Sequence, residues 1–162
     1  MGKLSIDAGQ LDPSVASLAQ LLTELIELEK QLTSGLVVAL SEESTTFDEW
    51  RTMEALARLD GPTMGELAEA TGLANATLSR TVDSLEDAST AYRLPTPADR
   101  RRIAVHLSDR GVQRMLRIRK IVRSWELAAE RRVGSDVAAA LLEATREAVR
   151  RLNPPSPTTA GS

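Results

Sequence analysis

Between residues 46 and 107 the hydrophobic repeat changes from helical to alternating, and the helix starts before the change are explicitly marked. Thr46-x-x-Glu49 is a capping box, in which a threonine hydroxyl and a glutamate three residues on satisfy each other's free backbone N–H groups. Trp50, Met53, Leu56 and Ala57 follow on one face. Thr63-x-x-Glu66 is a second box, placed after Gly61-Pro62, with Met64, Leu67 and Ala68 as its apolar face. A third short helix follows Gly72-Leu73-Ala74-Asn75, with Asn75 expected as its N-cap. Leu78, Val82 and Leu85 form its buried stripe, and Ala76, Thr77, Arg80, Asp83 and Ser84 are left facing out. The pattern then alternates. Ala91-Tyr-Arg-Leu94 is a short strand ended by Pro95-Thr-Pro97, and from Arg101 to Leu107 the apolar Ile103, Val105 and Leu107 interleave with Arg102, Ala104 and His106. Three short helices and a basic hairpin are thereby specified in fixed order.

Long amphipathic stretches flank this block. Residues 13–40 read as one helix, with Val15, Leu18, Leu22, Leu25, Leu32 and Leu36 recurring at helical steps, Pro13 in its first turn and Asp12 as a cap. Helical periodicity resumes at Ser108 and runs through Val112, Met115, Ile118, Val122, Trp125 and Ala129. Gly134-Ser135 breaks it, and a final helix from Asp136 to about Leu152 carries Val137, Leu141, Leu142, Ala148 and Val149. The proline-rich end, residues 153–162, is expected to be a disordered tail.

Composition removes several chemistries. The chain has no cysteine, which excludes thiolate nucleophiles, cysteine redox sensing and thiolate metal sites. Its single histidine, His106, rules out a multi-histidine metal centre within one chain. There is no phosphate-binding glycine loop and no carboxylate pair at a catalytic spacing, so an enzyme is not expected, nor a cofactor or metal. The aromatics are Phe47, Trp50, Tyr92 and Trp125, too few for the stacking platforms of a single-strand binder. No apolar run reaches the roughly 18 residues of a membrane span, and the N-terminus lacks a signal-peptide core, so the expected compartment is the cytoplasm with no membrane partner.

The net charge of −3 conceals a division. Residues 1–70 carry net −9, residues 71–123 carry net +6, and the remainder balances. Phosphate responds to local potential, so the surplus on the third short helix, the hairpin and the start of the following helix matters more than the average. Two short helices joined by Thr71-Gly-Leu-Ala-Asn75 form a helix-turn-helix candidate. The second presents small polar residues and Arg80 at its start, which lets the backbone approach a major groove and offers guanine or phosphate a guanidinium. The basic hairpin behind it is a wing, whose tip can enter the neighbouring minor groove.

At this point the residues resemble a family. The run Met64-Gly-Glu-Leu-Ala-Glu-Ala-Thr-Gly-Leu-Ala-Asn-Ala-Thr-Leu-Ser-Arg-Thr-Val-Asp-Ser-Leu85 is similar to the winged helix-turn-helix of the multiple antibiotic resistance regulator (MarR) family. The run Asp99-Arg-Arg-Arg-Ile-Ala-Val-His-Leu-Ser-Asp-Arg-Gly111 resembles that family's wing signature: Asp-x-Arg, a hydrophobic strand, Leu-Ser and a helix glycine. The resemblance implies a mainly α fold with a small β-wing, in which N- and C-terminal helices dimerise the chain. On that pattern residues 1–45 are the N-terminal dimerisation helix and connector, 46–107 the DNA-binding domain, and 108–152 the C-terminal dimerisation helices. It implies a homodimeric transcriptional regulator, most often a repressor, on a palindromic double-stranded operator. A small-molecule effector, often phenolic or aromatic and anionic in this family, is the remaining means of release once thiol and metal sensing are excluded. Asn75, Ala76, Thr77, Ser79 and Arg80 are placed at or near the groove. Asp99 and Arg101 match the wing pair, the aspartate orienting the arginine, and Arg93 matches the basic residue at the wing's base. Arg100, Arg101 and Arg102 together supply non-specific affinity.

One departure stands out. Where the family usually has Gly-Leu before the first wing strand, this chain has Ser89-Thr90. Ser89 would then take a left-handed turn at a cost of roughly 1 kcal/mol, and Thr90 would give up part of an apolar contact beneath the wing. Replacing the pair by Gly-Leu is expected to stabilise the protein. Plainer roles are open to the same residues. An isolated Arg100-Arg101-Arg102 is a solvated turn, Thr77, Ser79 and Arg80 an ordinary exposed helix face, and His106 an exposed strand residue. Met53, Met64 and Met115 are core, and Trp50 and Trp125 pack in core or interface. The resemblance also puts Trp50 at an effector pocket between the winged domain and the dimerisation helices. The rival function is a winged-helix protein-interaction module that uses the acidic first helix.

Overall fold

A computed structural model describes residues 17–96 and 102–153. The caps at Asp12 and Pro13, the wing-tip residues Pro97, Asp99, Arg100 and Arg101, and the tail 154–162 lie outside the described residues.

The elements follow the chain in the order α1 (Leu18–Leu40), a short 3-10 turn (Ser41–Glu43), α2 (Phe47–Arg58), α3 (Met64–Thr71), α4 (Asn75–Asp87), β1 (Ala91–Pro95), β2 (Ile103–Leu107), α5 (Asp109–Val133) and α6 (Ser135–Leu152). Both capping boxes form. Thr46 N–H donates to Glu49 at 3.0 Å and Glu49 N–H to Thr46 Oγ1 at 3.1 Å. Thr63 N–H donates to Glu66 at 2.7 Å, and the return bond is 3.4 Å. The backbone bond from Thr63 holds the Glu66 carboxyl below its usual range, as a charge at a helix N-terminus should be.

The expected cap at Asn75 is corrected. Ala74 is the N-cap, extended at φ −60° and ψ 142°, and it makes no side-chain cap. The turn is shorter than the asparagine suggested. Gly72 ends α3 in the left-handed conformation at φ 65°, where a side chain is strained. Thr71 Oγ1 accepts from Leu73 N–H at 3.3 Å, so only Leu73 and Ala74 separate this turn from α4. Asn75 is therefore the first helical residue, exposed.

β1 and β2 form one antiparallel ladder in which Tyr92 faces His106 and Arg93 faces Val105. The loop before α3 extends it on the other side, Val105 N–H donating to Pro62 O at 2.9 Å. Leu40, Met53, Leu67, Leu78, Val82, Leu85, Val105 and Ile118 are sealed from solvent, joining α1, α2, α3, α4, the wing and α5 in one core. Burying a side chain of this size contributes about 1.5–3 kcal/mol. His106, expected to be exposed, is half-buried: its ring stacks on Tyr92 at 5.4 Å and lies against Gly61. α6 contributes no buried residue. No described helix is long and apolar enough to cross a membrane.

Candidate nucleic-acid interface

The start of α4 carries the exposed residues Asn75, Ala76, Ser79 and Arg80, while Thr77 is half-buried. Leu78, Thr81, Val82 and Leu85 hold the opposite face in the core. Thr81 Oγ1 donates back to Thr77 O at 3.0 Å, so its hydroxyl is satisfied within the helix. Among the described residues no carboxylate pairs with Arg80.

The junction between α4 and the wing is tightly set. Ser89 adopts the left-handed conformation at φ 55°, at the position where the family pattern has glycine. Thr90 does more than lose an apolar contact. It is 1% exposed, its carbonyl accepts Ser108 N–H at 3.0 Å, and its hydroxyl lies 3.5 Å from the Arg114 guanidinium. A Cβ at Gly111 would stand 2.0 Å from Thr90 O, so the start of α5 must be glycine to approach this strand. Ser108 caps α5 through Gly111 N–H at 2.9 Å.

Two of the expected wing cations are engaged with protein carboxylates. Arg93 pairs with Asp83 at 2.9 Å and with Glu86, tying β1 to α4. Arg102 remains largely exposed and lies 3.7 Å from Glu66. Arg93 is thus brought to the flank of α4, an arrangement the sequence did not reveal because its partners sit one helical turn apart on another element.

Trp50 packs on Phe47, with ring centroids 5.5 Å apart. It lines a cleft of about 190 Å³ between α2 and α3 with Arg51, Glu54, Arg58 and Thr71, and its indole N–H is buried without a partner among the described residues. That cleft does not lie against α1, α5 or α6. A second cleft, of about 370 Å³, lies between the end of α2, the wing and α5, lined by Leu56, Gly61, Tyr92, His106, Met115 and Arg119 among others. It lies where the family resemblance puts a pocket, between the winged domain and a long flanking helix, but Trp50 does not line it; its walls are ordinary core positions of three elements, which no residue pattern marks. Arg119 is fixed at its rim by Glu54, at 3.1 and 3.2 Å, and that bond raises the guanidinium's affinity for its proton.

Known proteins support this architecture. The MarR family model matches residues 44–102, which span α2 to the wing. No curated protein sequence matches the chain. Among solved structures, the transcriptional repressor CouR bound to a 23-mer DNA duplex is 21% identical, superposes with a TM-score of 0.74, and is covered in full by 85% of this chain. CouR from Rhodococcus jostii RHA1 bound to p-coumaroyl-CoA is 17% identical at a TM-score of 0.72, with 88% of this chain and 98% of that one covered. A mutant MarR from E. coli, complexed with operator DNA, is 20% identical at a TM-score of 0.72, with coverages of 83% and 99%. The last two long helices, outside the matched segment, follow the same fold. Residues 44–102 are thus similar to the MarR family's model, and the chain shares the fold of these solved structures.

Proposed function

We propose that the chain is a sequence-specific, double-stranded DNA-binding transcriptional regulator that acts as a homodimer on a palindromic operator. The observation that carries this reading is the exposed start of α4, with Arg80 unpaired by any described carboxylate, seated in a helix-turn-helix with a wing behind it. Asn75, Ala76, Thr77, Ser79 and Arg80 read the major groove. Because Asn75 is not the cap, its amide is not held by the helix start and is available to an adenine edge. Arg102 with Arg100 and Arg101 supplies phosphate and minor-groove affinity, Asp99 orienting Arg101. Arg93 acts by holding the wing on α4.

Exposed apolar residues on α1 and α6, including Leu18, Leu22, Ile26, Leu142 and Val149, support dimerisation. Release by a small molecule fits the cleft between α2, the wing and α5 better than the Trp50 cleft, since only the former touches both the wing and a long flanking helix. The mode of action proposed is repression, the one most often found in the family that the chain resembles.

A mobility-shift assay against genomic fragments at physiological salt tests the reading. Retention of discrete fragments is expected. Arg80→Ala should relax discrimination at one base position by ~1–3 kcal/mol if it reads guanine, and Arg101→Ala should weaken all sequences and lower the salt slope by about 1. Fragments retained without sequence preference, or not at all by the folded dimer, overturn it.

A further inference from the structure

A single carboxylate–guanidinium pair gathers five elements. Glu49 and Arg114 lie 3.8 Å apart, each side chain nearly withdrawn from solvent at 12% and 13% exposure. Glu49 caps α2 through Thr46 N–H, and its other oxygen accepts the Ser84 hydroxyl of α4 at 2.8 Å. Arg114, on α5, donates to Thr45 Oγ1 at 2.9 Å, to Ser44 O at 3.1 Å and to Glu43 O at 3.3 Å, where the chain leaves α1. Its other Nη lies 3.5 Å from Thr90 Oγ1, at the root of the wing. Ser44 is held left-handed at φ 48° within this set. One Nη faces Thr45, Ser44, Glu43 and Glu49 and the other the Thr90 hydroxyl, a two-pronged reach that a lysine's single ammonium does not span. A buried ion pair is seldom the cheapest way to stabilise a core, and its best-attested use is to fix register and geometry.

We propose that Glu49 and Arg114 are positioning residues that fix the recognition helix against the dimerisation helices, and so set the half-site spacing the dimer accepts. In a two-fold dimer the separation of the two α4 helices follows from the angle between each winged domain and its long helices, and operator spacing mirrors it. α1 and α5 belong to the dimerising part, α4 and the wing to the reading part, and this pair is bonded to both. The proposal rests on the DNA-binding reading above. It adds the specificity for spacing and the residues that carry it.

The test uses the full-length dimer and two readouts. The chain has no cysteine, so Ser79→Cys accepts one spin label per protomer on α4, and pulsed dipolar spectroscopy measures the distance between the two recognition helices without DNA. In parallel, binding of the unlabelled protein is measured to the selected operator and to operators with one base pair inserted or removed between half-sites. Three variants are compared: Ser84→Ala, which removes only the exposed α4 tether and leaves the core intact; Arg114→Lys; and Arg114→Met. Expected is a broadened distance distribution in Ser84→Ala and Arg114→Met, with Arg114→Lys between them and the parent. Discrimination between spacings should fall by roughly three- to thirtyfold, the range typical of changes within a coupling network, with base preference at each half-site retained. A merely structural role would lower melting temperature and weaken every spacing in proportion. That outcome, or a Ser84→Ala and an Arg114→Met that both keep the parent's distribution and discrimination, overturns the proposal. If the parent binds no operator, the DNA-binding reading fails by itself, and the distance distributions still decide whether the pair positions α4.

Discussion

The winged domain and the outer reaches of the long flanking helices both carry apolar stripes, yet they end in opposite states; the inner turns of α1 and α5 join the core through Leu36, Leu40, Met115 and Ile118. In α2, α3 and α4 the stripes close on one another, and Met53, Leu67, Leu78, Val82 and Leu85 are wholly sealed. In α6 no residue is buried, and Leu142 and Val149 are about half exposed, as is Leu22 on α1. One region completes its core within the chain and the other does not. Amphipathicity states that a face must be covered, while the length of a helix and its neighbours decide whether the same chain can cover it. The short capped helices are small enough to fold over each other. A helix of 18 or 23 residues extends beyond what the winged domain can reach.

The largest expected effect lies in the closed region. Leu78→Ala removes a side chain sealed between α4 and its neighbours and should cost about 2–5 kcal/mol, with a fall in melting temperature that does not depend on protein concentration. A loss under about 1 kcal/mol in denaturant titrations, well below the usual range for such a truncation, would break the contrast. Next, paired Leu142→Glu and Val149→Glu should leave the winged domain folded but shift the chain to monomer in light scattering. The parent's melting temperature should rise with concentration and the variant's should not. A monomeric parent would remove the second half of the comparison.

The junction between the two regions gives a smaller and split effect. Ser89→Gly should stabilise by about 1 kcal/mol, since Ser89 occupies the left-handed region. Thr90→Leu, expected from the sequence to help, should instead cost about 1–3 kcal/mol, because the position is already filled and its hydroxyl faces Arg114. Separate thermal melts of the two single variants distinguish them from the additive gain that the residue pattern suggested. The smallest effect is electrostatic. The hydrogen bond from Arg117, at 2.8 Å, holds the Glu43 carboxyl below its usual range. A depressed carboxylate adds stability above its unfolded pKa and loses it as pH falls through the folded one. Glu43→Gln should therefore flatten the acid limb of the stability–pH curve slightly, and the exposure of Arg117 keeps the change small. An unchanged acid limb would remove this link between the 3-10 turn and α5.

What could be read from the sequence follows the distance over which each feature acts. Both capping boxes and the left-handed Ser89 are local, and they are present as the residue pattern requires. The alternation of β2 holds only in part: Val105 is buried, but Ile103 is exposed at 40% and Ala104 is buried in its place, where the strand meets the loop before α3. Asn75 misled because asparagine is a good cap in isolation, while the closure of the Gly72 turn decided which residue stood at the helix start. His106 misled because period two gives it the outward side, where the cross-strand Tyr92 and the Gly61 backbone lie against it. The partners of Arg114 were illegible. Besides Glu49 and the Thr90 hydroxyl, they are two backbone carbonyls and a hydroxyl some 70 residues upstream, and no side-chain pattern announces a carbonyl. The Arg93 pairing with Asp83 and Glu86 was hidden because nothing along the chain marks which helix flank a strand will meet.

Whether a dimer of this chain reads double-stranded DNA by sequence through α4 is decided by selection. The full-length protein is presented with a random duplex library at physiological salt, and the enriched sequence is footprinted. Expected is a palindrome whose half-sites lie about 10 base pairs, or a multiple of that, apart, protected on one face of the duplex, with Arg80→Ala losing preference at one position in each half-site. Enrichment of no sequence by the folded dimer, or a motif that Arg80→Ala leaves unchanged at every position, would contradict it.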